Sequence, residues 1–391
     1  MSSPLADQQD EPPRQPRALR LGLPYGAVMA TGGAGQLAGT CGLAGAARPL
    51  LWLAVAEAGW IAGRGLIRHR GELRLPPSAW ARIGPPAEHA GVLTVPVGLA
   101  VVATGLSTQP GPAKALGAAL VVLAWLSAAV LVARFGVSVT RRGGTMAVDG
   151  GWFLAPAAVL GAGIAAAAYA GQAVGLLAGL LRWVALVAAA VGVAGYWAVV
   201  AGGALAVARR GLGHERRGLW WIAAGCGGLA AAAVGRVLAA GRALWPSYVP
   251  SAGHVVAGAT WSVAAALAVP IVVVGMRSLA RSLRVVRAAP WPPTFSTAVF
   301  ALGTLATAKM LGAPAVTGVG KVAAGVTLAL WAVTTALHAS RLLPTAPRHG
   351  AAGTTDRASS PDRAIHVHRE QPARANRRRG GRHHPCPSWR W

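Results

Sequence analysis

The chain alternates between long apolar stretches and shorter polar connections. Each of ten apolar stretches is close to the roughly 20 residues that a helix needs to cross a bilayer. Backbone polar groups must be satisfied inside lipid, and the period-2 alternation of a barrel is absent, so these stretches are expected to be helices. The pattern predicts an all-α integral membrane protein with ten transmembrane helices, at 24–45, 49–67, 90–107, 115–134, 152–171, 183–207, 218–241, 254–275, 296–312 and 318–340.

Two kinds of apolar stretch alternate along the chain. The even-numbered ones are bulky and carry most of the tryptophans that lie within spans: Trp52, Trp60, Trp125, Trp197, Trp261 and Trp331. The odd-numbered ones are rich in Gly, Ala and Thr, which allow close helix packing. Pro96, Pro156 and Gly303 are interpreted as kinks that suit the lining of a cavity. The alternation predicts five helical hairpins, each with an inner helix followed by an outer helix that faces lipid.

Charge supports this count of spans and sets an orientation. Only 12% of the 391 residues are charged, against about 25% in ordinary soluble domains. Arginines concentrate in the connections at 68–89, 135–150, 208–217 and 276–295, whereas the alternate connections hold few basic residues. Cytoplasmic loops carry the excess of Lys and Arg, so both termini are predicted in the cytoplasm, with the protein in the plasma (cell inner) membrane.

The two ends of the chain differ from the region between them. Residues 1–20 and 342–391 are polar or basic and are predicted to be disordered cytoplasmic tails flanking a transmembrane domain at 21–341. The C-terminal tail mixes Arg with Trp, which favours attraction to anionic lipids over nucleic acid, and no nucleic-acid partner is expected. His383, His384 and Cys386 are weak metal ligands at a disordered end, so no metal and no cofactor is predicted.

The distribution of acidic residues along the sequence indicates that the transported species is an anion. From Asp149 to Asp356 the only acid is Glu215, in a predicted cytoplasmic loop. An anion path needs cations or neutral donors and must exclude fixed carboxylates. The odd-numbered stretches supply candidates for such a path: Thr31, Gln36, Thr94, Thr104, Ser296, Thr297, Thr304, Arg236 and Lys309. Glu57 is the only acid predicted within a span and is a possible proton site.

The stretch Phe295–Met310 combines an apolar character with several polar side chains and one large aromatic, Phe300, among small residues. A helix that only faced lipid would not carry Ser, Thr and Lys in this way. We interpret it as an inner helix that lines a water-accessible path, with Phe300 either as an obstruction or as a packed core aromatic.

Four motifs in order resemble the tellurite-resistance/C4-dicarboxylate transporter (TDT) family, which includes slow-type anion channels and malate and sulfite carriers. The matching residues are Pro24, Tyr25, Met29, Thr31 and Gly32 in the first helix; Trp152, Phe153, Leu154 and Pro156 in the fifth; Trp261, Ala264 and Pro270 in the eighth; and Phe295, Phe300, Leu302, Gly303 and Thr304 in the ninth. Ala30 and Ala301 depart from the usual glycine and proline.

The resemblance implies a quasi-five-fold ring of hairpins around a central pore, in a homotrimer with one pore per subunit. It also implies that Phe300 matches the phenylalanine that occludes the pore in the channel branch. The leading hypothesis is a channel or uniporter for small anions. The alternative is a proton-coupled carrier of C4-dicarboxylates or other small oxyanions such as sulfite or tellurite. An enzyme is not expected, because His254 and His338 at helix ends have no nearby acid in sequence.

Overall fold

The computed structural model describes residues 19–69, 91–141, 148, 150–210, 221–241, 245–246, 248–285 and 291–342. These residues form ten α-helices and no strand. The helices are α1 (Leu19–Thr40), α2 (Ala44–His69), α3 (Thr94–Leu106), α4 (Pro112–Arg141), α5 (Leu154–Ala170), α6 (Gly175–Arg210), α7 (Trp221–Ala240), α8 (Tyr248–Val285), α9 (Trp291–Leu311) and α10 (Pro314–Leu342).

The all-helical prediction is confirmed for the described residues, and their length and composition fit a multi-pass membrane protein. Seven helical stretches in this part of the chain are long and apolar enough to cross a bilayer, and they cover α4 to α10. The stretch Gly91–Leu106, which contains α3, is apolar but shorter. All ten helices lie in one compact unit, Met1–Leu343. The predicted tails fall outside the described residues, except that residues 19 and 20 belong to α1 and residue 342 is the last residue of α10.

Each odd-numbered helix pairs with the even-numbered helix that follows it. Gly35 of α1 lies against Leu51 of α2, and Gly39 of α1 lies against Ala47 of α2. Residue numbers rise along α1 where they fall along α2, so the two helices are antiparallel. The same holds for α5 and α6, α7 and α8, and α9 and α10. Four glycines with positive φ lie in or directly after the turns of these hairpins: Gly42, Gly111, Gly175 and Gly312. The recurrence agrees with the predicted repeat of helical hairpins.

The odd-numbered helices also contact one another in a closed order. Helix α1 packs against α3, α3 against α5, α5 against α7, α7 against α9, and α9 against α1. The closest of these crossings joins α7 to α9, where a Cβ on Gly303 would lie 2.6 Å from Gly228 Cα and a Cβ on Gly225 would lie 2.9 Å from Ser296 Cα. Only residues without bulky side chains allow two backbones to come so close.

Burial separates the two kinds of helix as their composition indicates. In the most apolar windows of α5, α7 and α9, 89%, 72% and 56% of the residues are buried, against 22%, 28%, 17% and 17% in α4, α6, α8 and α10. Large apolar side chains such as Trp60, Leu126 and Val322 are exposed on the even-numbered helices. Because lipid is as apolar as these side chains, exposure of this kind is favourable in a bilayer.

The even-numbered helices are longer than their apolar stretches predicted. Helix α6 has 36 residues and α8 has 38, against 17 for α5. In α8 the added turns lie mainly at the C-terminal end and carry arginines of the predicted cytoplasmic connection, such as Arg281. In α6 they lie mainly at the N-terminal end, where the helix begins at Gly175 and includes Arg182. A charged residue ends an apolar stretch of sequence, but it does not end a helix, because Arg has a high helix propensity.

The prolines predicted as kinks occupy a different position. Pro96 and Pro156 are each the third residue of an α-helix, directly after the 3-10 turns Gly91–Leu93 and Gly150–Phe153. In the first turn of a helix the backbone N–H has no intrahelical acceptor, so its loss at proline is tolerated. The two prolines therefore mark the change from 3-10 to α-helix. Gly303 lies within the continuous helix α9, at its close crossing with Gly228.

Candidate functional site

A cavity of about 720 Å³ lies among the C-terminal halves of the odd-numbered helices. All five of these helices contribute to its wall, and the first turns of α8 complete it. The lining residues include Gln36, Thr104, Arg236, His254, Val299, Leu302 and Lys309. Since a water molecule in the liquid occupies about 30 Å³, the cavity has room for a small anion together with many waters.

Among the described residues, Arg and Lys side chains from two helices line this cavity, and no acid lines it. Arg236 of α7 and Lys309 of α9 both line it and keep exposed side chains. Glu57 of α2 is the one acidic residue in the described part of the chain, and it is not among the lining residues. Most of the remaining wall is apolar, with Val101, Leu229 and similar side chains. Low-dielectric walls strengthen the field of fixed charges, so the two basic side chains make the electrostatic potential in the cavity positive.

The neutral polar groups of the wall are already engaged with backbone carbonyls. Gln36 Nε2 donates to Val101 O at 2.6 Å and thereby joins α1 to α3. Thr104 Oγ1 donates to Ala100 O at 2.8 Å within α3. Such bonds from Thr to the preceding turn are common in apolar helices. The positive character of the cavity therefore comes from Arg236 and Lys309, and Gln36 and Thr104 contribute mainly by shape and polarity.

The other predicted path residues do not line this cavity. Thr94 lies at the opposite end of α3 and donates to Gly91 O, and Thr297 donates to Pro293 O and Thr294 O within α9. Ser296 is buried against α7, and its hydroxyl has no hydrogen-bond partner among the described residues. The sequence shows that the odd-numbered helices carry polar side chains, but it does not show which way each side chain points.

Thr31 and Thr304 bind tryptophans of the outer helices. Trp331 Nε1 of α10 donates to Thr31 Oγ1 at 3.2 Å, and Trp261 Nε1 of α8 donates to Thr304 Oγ1 at 3.0 Å. Trp125 Nε1 of α4 similarly donates to Ala162 O of α5 at 3.0 Å. In each case an even-numbered helix is bonded to the odd-numbered helix of the next hairpin. These threonines hold the two layers together and do not face the cavity.

The face of α9 that lines the cavity passes through Val299 and Leu302 and excludes Phe300. Successive helical residues are about 100° apart around the axis, so residues three and four apart share a face. Phe295, four residues before Val299, continues the cavity face one turn deeper. Phe300 Cα instead approaches α7, where a Cβ on Gly228 would lie 2.8 Å from it, and the Phe300 side chain is half-buried.

An apolar core lies one to two turns beneath the cavity. Phe295 is 4% exposed and belongs to the same apolar cluster as Met29 of α1, Val97 of α3 and Cys226 of α7. Each of these four residues lies three or four positions before a cavity-lining residue of its own helix. Packed apolar side chains therefore lie one turn beneath the lining residues of the cavity.

Glu57 lies away from the cavity, at the contact of α2 with α1. Its Oε1 accepts a hydrogen bond from Thr31 Oγ1 at 3.3 Å, and Thr31 in turn accepts the bond from Trp331. Glu57 Oε2 is buried and has no hydrogen-bond partner among the described residues. A buried carboxyl oxygen without a partner is energetically costly when it is charged.

Two residues of the site were not selected from the sequence as site residues. His254 was considered only as a catalytic candidate, and Phe295 only as part of a motif. The position of His254, one turn and a half into an outer helix, gave no sign that it faces the cavity. Phe295 precedes Leu302 by seven residues, or two helical turns, so the two side chains lie on the same face of α9. The sequence alone does not show that this face lines a cavity, because the helix has no distinct polar face.

A comparison with protein-family models and with curated proteins found no match for the chain.

Proposed function

We propose that the protein transports small anions across a membrane, along a path lined by the odd-numbered helices. The observation that carries the proposal is the cavity at which all five odd-numbered helices meet, with Arg236 and Lys309 in its wall and no acid among its lining residues. Rings of basic side chains select anions in pores, just as acidic rings select cations. We propose a channel or uniporter as the mode of transport.

The proposed architecture has ten spans, arranged as five hairpins in a quasi-five-fold ring. The closed order of contacts α1–α3–α5–α7–α9–α1 supports this arrangement, as does the lower burial of the even-numbered helices. The tryptophans that tie each of α4, α8 and α10 to the next odd-numbered helix support a repeat of the same unit. In this arrangement the cavity is the wide end of a central pore.

The proposed orientation places both termini in the cytoplasm of a cell whose plasma (inner) membrane holds the protein. The distribution of arginines supports it, because they lie at the C-terminal ends of even-numbered helices and in the connections that follow. The cavity then opens outward. A homotrimer, which follows from the resemblance to the TDT family, would cover part of the apolar surface that the even-numbered helices expose.

The proposed obstruction of the path is the apolar layer beneath the cavity. Phe295 is the large aromatic on the cavity face of α9, whereas Phe300 is the residue that the resemblance implies. An apolar constriction blocks ions by excluding water, and either ring could serve if it reached the axis. The position of Val299 and Leu302 in the cavity wall favours Phe295 for this role.

A second candidate is a proton-coupled carrier of dicarboxylates or other small oxyanions. The observation that favours it is the buried, unpartnered Oε2 of Glu57, since coupling needs a group that takes up and releases a proton. If protons are coupled at Glu57, a Glu57→Gln variant should lose uptake driven by a pH gradient and keep passive exchange. For a uniporter, a pH gradient alone should drive no net uptake in either protein.

The experiment that tests transport is efflux of chloride or nitrate from liposomes that contain the purified full-length chain. We expect efflux well above that of empty liposomes when a permeant counter-ion pathway is supplied. Efflux equal to that of empty liposomes, for every small anion tried and with the protein shown to be folded, would contradict the proposal.

A further inference from the structure

Three basic side chains from three different helices line the cavity. Besides Arg236 of α7 and Lys309 of α9, the wall includes His254 of α8. Helix α8 is an outer helix, yet its first turns, represented by Pro250 and His254, complete the mouth of the cavity. His254 is thus the third basic residue of the site.

The position of His254 is held by a close contact of α8 with α7. A Cβ on Gly253 would lie 2.6 Å from Leu238 Cδ1, so the absent side chain lets the end of α7 pack directly on the start of α8. Leu238 itself lines the cavity, two residues after Arg236. The contact keeps His254, the next residue after Gly253, at the cavity wall beside the end of α7.

The electrostatic surroundings of His254 are positive. Helix α8 packs against α7 and α9, and the ionisable groups that these helices present to the cavity are Arg236 and Lys309. No acid occurs on α7, α8 or α9 in the described part of the chain. Tyr248, on α8 itself, lies at the helix start and is exposed. Arg242 lies outside the described residues.

We propose that His254 is an anion-binding residue of the cavity whose charge makes anion occupancy depend on pH. Histidine is the side chain that ordinarily gains a charge between about pH 8 and pH 5. In its neutral form the site holds two cations, and in its protonated form it holds three. The third charge binds the anion and is in turn stabilised by it. This inference rests on the proposed function of the cavity.

The test measures chloride efflux from proteoliposomes with the same pH on both sides, at pH 5.5 and at pH 8.0. For the unchanged chain we expect efflux to rise about three- to tenfold at the lower pH, because a unit charge within a cavity of this size attracts an anion strongly at an effective dielectric constant near 20. His254→Gln should lose the rise, so that its efflux at pH 5.5 is no higher than its own efflux at pH 8.0. His254→Lys should show high efflux at both pH values.

His338→Gln is the matched control. His338 lies near the other end of the bundle, on α10, where its ring packs against Trp291 and Nδ1 lies 3.3 Å from Thr334 O. This variant should keep the rise in efflux. A rise that survives in His254→Gln, or that is lost in His338→Gln, would overturn the assignment.

A binding measurement separates this inference from the transport function. In detergent, nitrate should raise the thermal midpoint of the unchanged chain more at pH 5.5 than at pH 8.0, and His254→Gln should remove the difference. If that result is obtained but no efflux is seen, the binding site stands and the transport function fails. If efflux is seen but neither measurement depends on His254, transport stands and this inference fails.

Discussion

The indole Nε1 of Trp331 donates a hydrogen bond to the hydroxyl of Thr31 across 3.2 Å, although the two residues are 300 positions apart. The bond joins the last described helix to the first. Because Thr31 Oγ1 also donates to Glu57 Oε1, one threonine links α10, α1 and α2. The contact joins the outer helix of the last hairpin to the first hairpin.

Loss of this hydrogen bond should weaken the contact between α10 and α1 and so destabilise the folded protein. We expect Trp331→Phe to lower the free energy of unfolding by about 0.5–1.5 kcal/mol, since Thr31 Oγ1 loses the hydrogen bond that it accepts and keeps only the one that it donates to Glu57. Thermal unfolding in detergent measures the effect. Trp60→Phe is the control, because Trp60 is 68% exposed on α2. An equal loss of stability in both variants would argue against a specific role for the bond.

The crossing of α7 and α9 should not tolerate a single methyl group. In Gly303→Ala the new Cβ would lie 2.6 Å from Gly228 Cα, and backbone cannot rotate away as a side chain can. We expect a marked loss of folded protein, measured as the monodisperse fraction in size-exclusion chromatography. Gly325→Ala on α10, where a Cβ meets no atom within 4 Å, should behave like the unchanged chain. Normal yield of Gly303→Ala would show that the two helices are further apart.

Neutralising either cation of the cavity should weaken anion transport. We expect Arg236→Gln and Lys309→Gln each to lower chloride efflux about three- to tenfold, since each removes one unit charge from a low-dielectric site. Lys321→Gln is a matched control, because Lys321 is exposed on α10 and does not line the cavity. Efflux reduced equally by all three substitutions would indicate a general effect of net charge rather than a site.

Substitution of the two phenylalanines of α9 should affect anion efflux differently. We expect Phe295→Ala to raise anion efflux several-fold, because it opens the apolar layer beneath the cavity, and Phe300→Ala to change it little. The comparison requires equal amounts of folded protein in the liposomes. The opposite result, with a rise only in Phe300→Ala, would place the obstruction at the residue that the resemblance implies.

The hydropathy pattern was enough to predict the helices, and the alternation of small and bulky residues agreed with the order of burial. The ends of the even-numbered helices could not be predicted in the same way, because the arginines that end an apolar window continue the helix, as in α6 and α8. Pro96 and Pro156 were interpreted as kinks because a sequence does not reveal that a 3-10 turn precedes each of them.

The candidate site was predicted in part. Arg236 and Lys309 were selected for their depth in odd-numbered stretches, and they meet at the cavity together with Gln36 and Thr104. The orientation of the remaining residues could not be predicted, because polar side chains of an inner helix occur both at the cavity and at contacts with other helices, and so form no single polar stripe. Thr31 and Thr304 therefore looked like path residues, although they bind tryptophans of the outer layer.

The most direct test of the central claim is the reversal potential of the full-length chain in a planar bilayer under a tenfold gradient of potassium chloride. A pore whose charged wall consists of Arg236 and Lys309 should pass chloride in preference to potassium, so the current should reverse close to the equilibrium potential of chloride. Reversal close to the equilibrium potential of potassium would contradict the account.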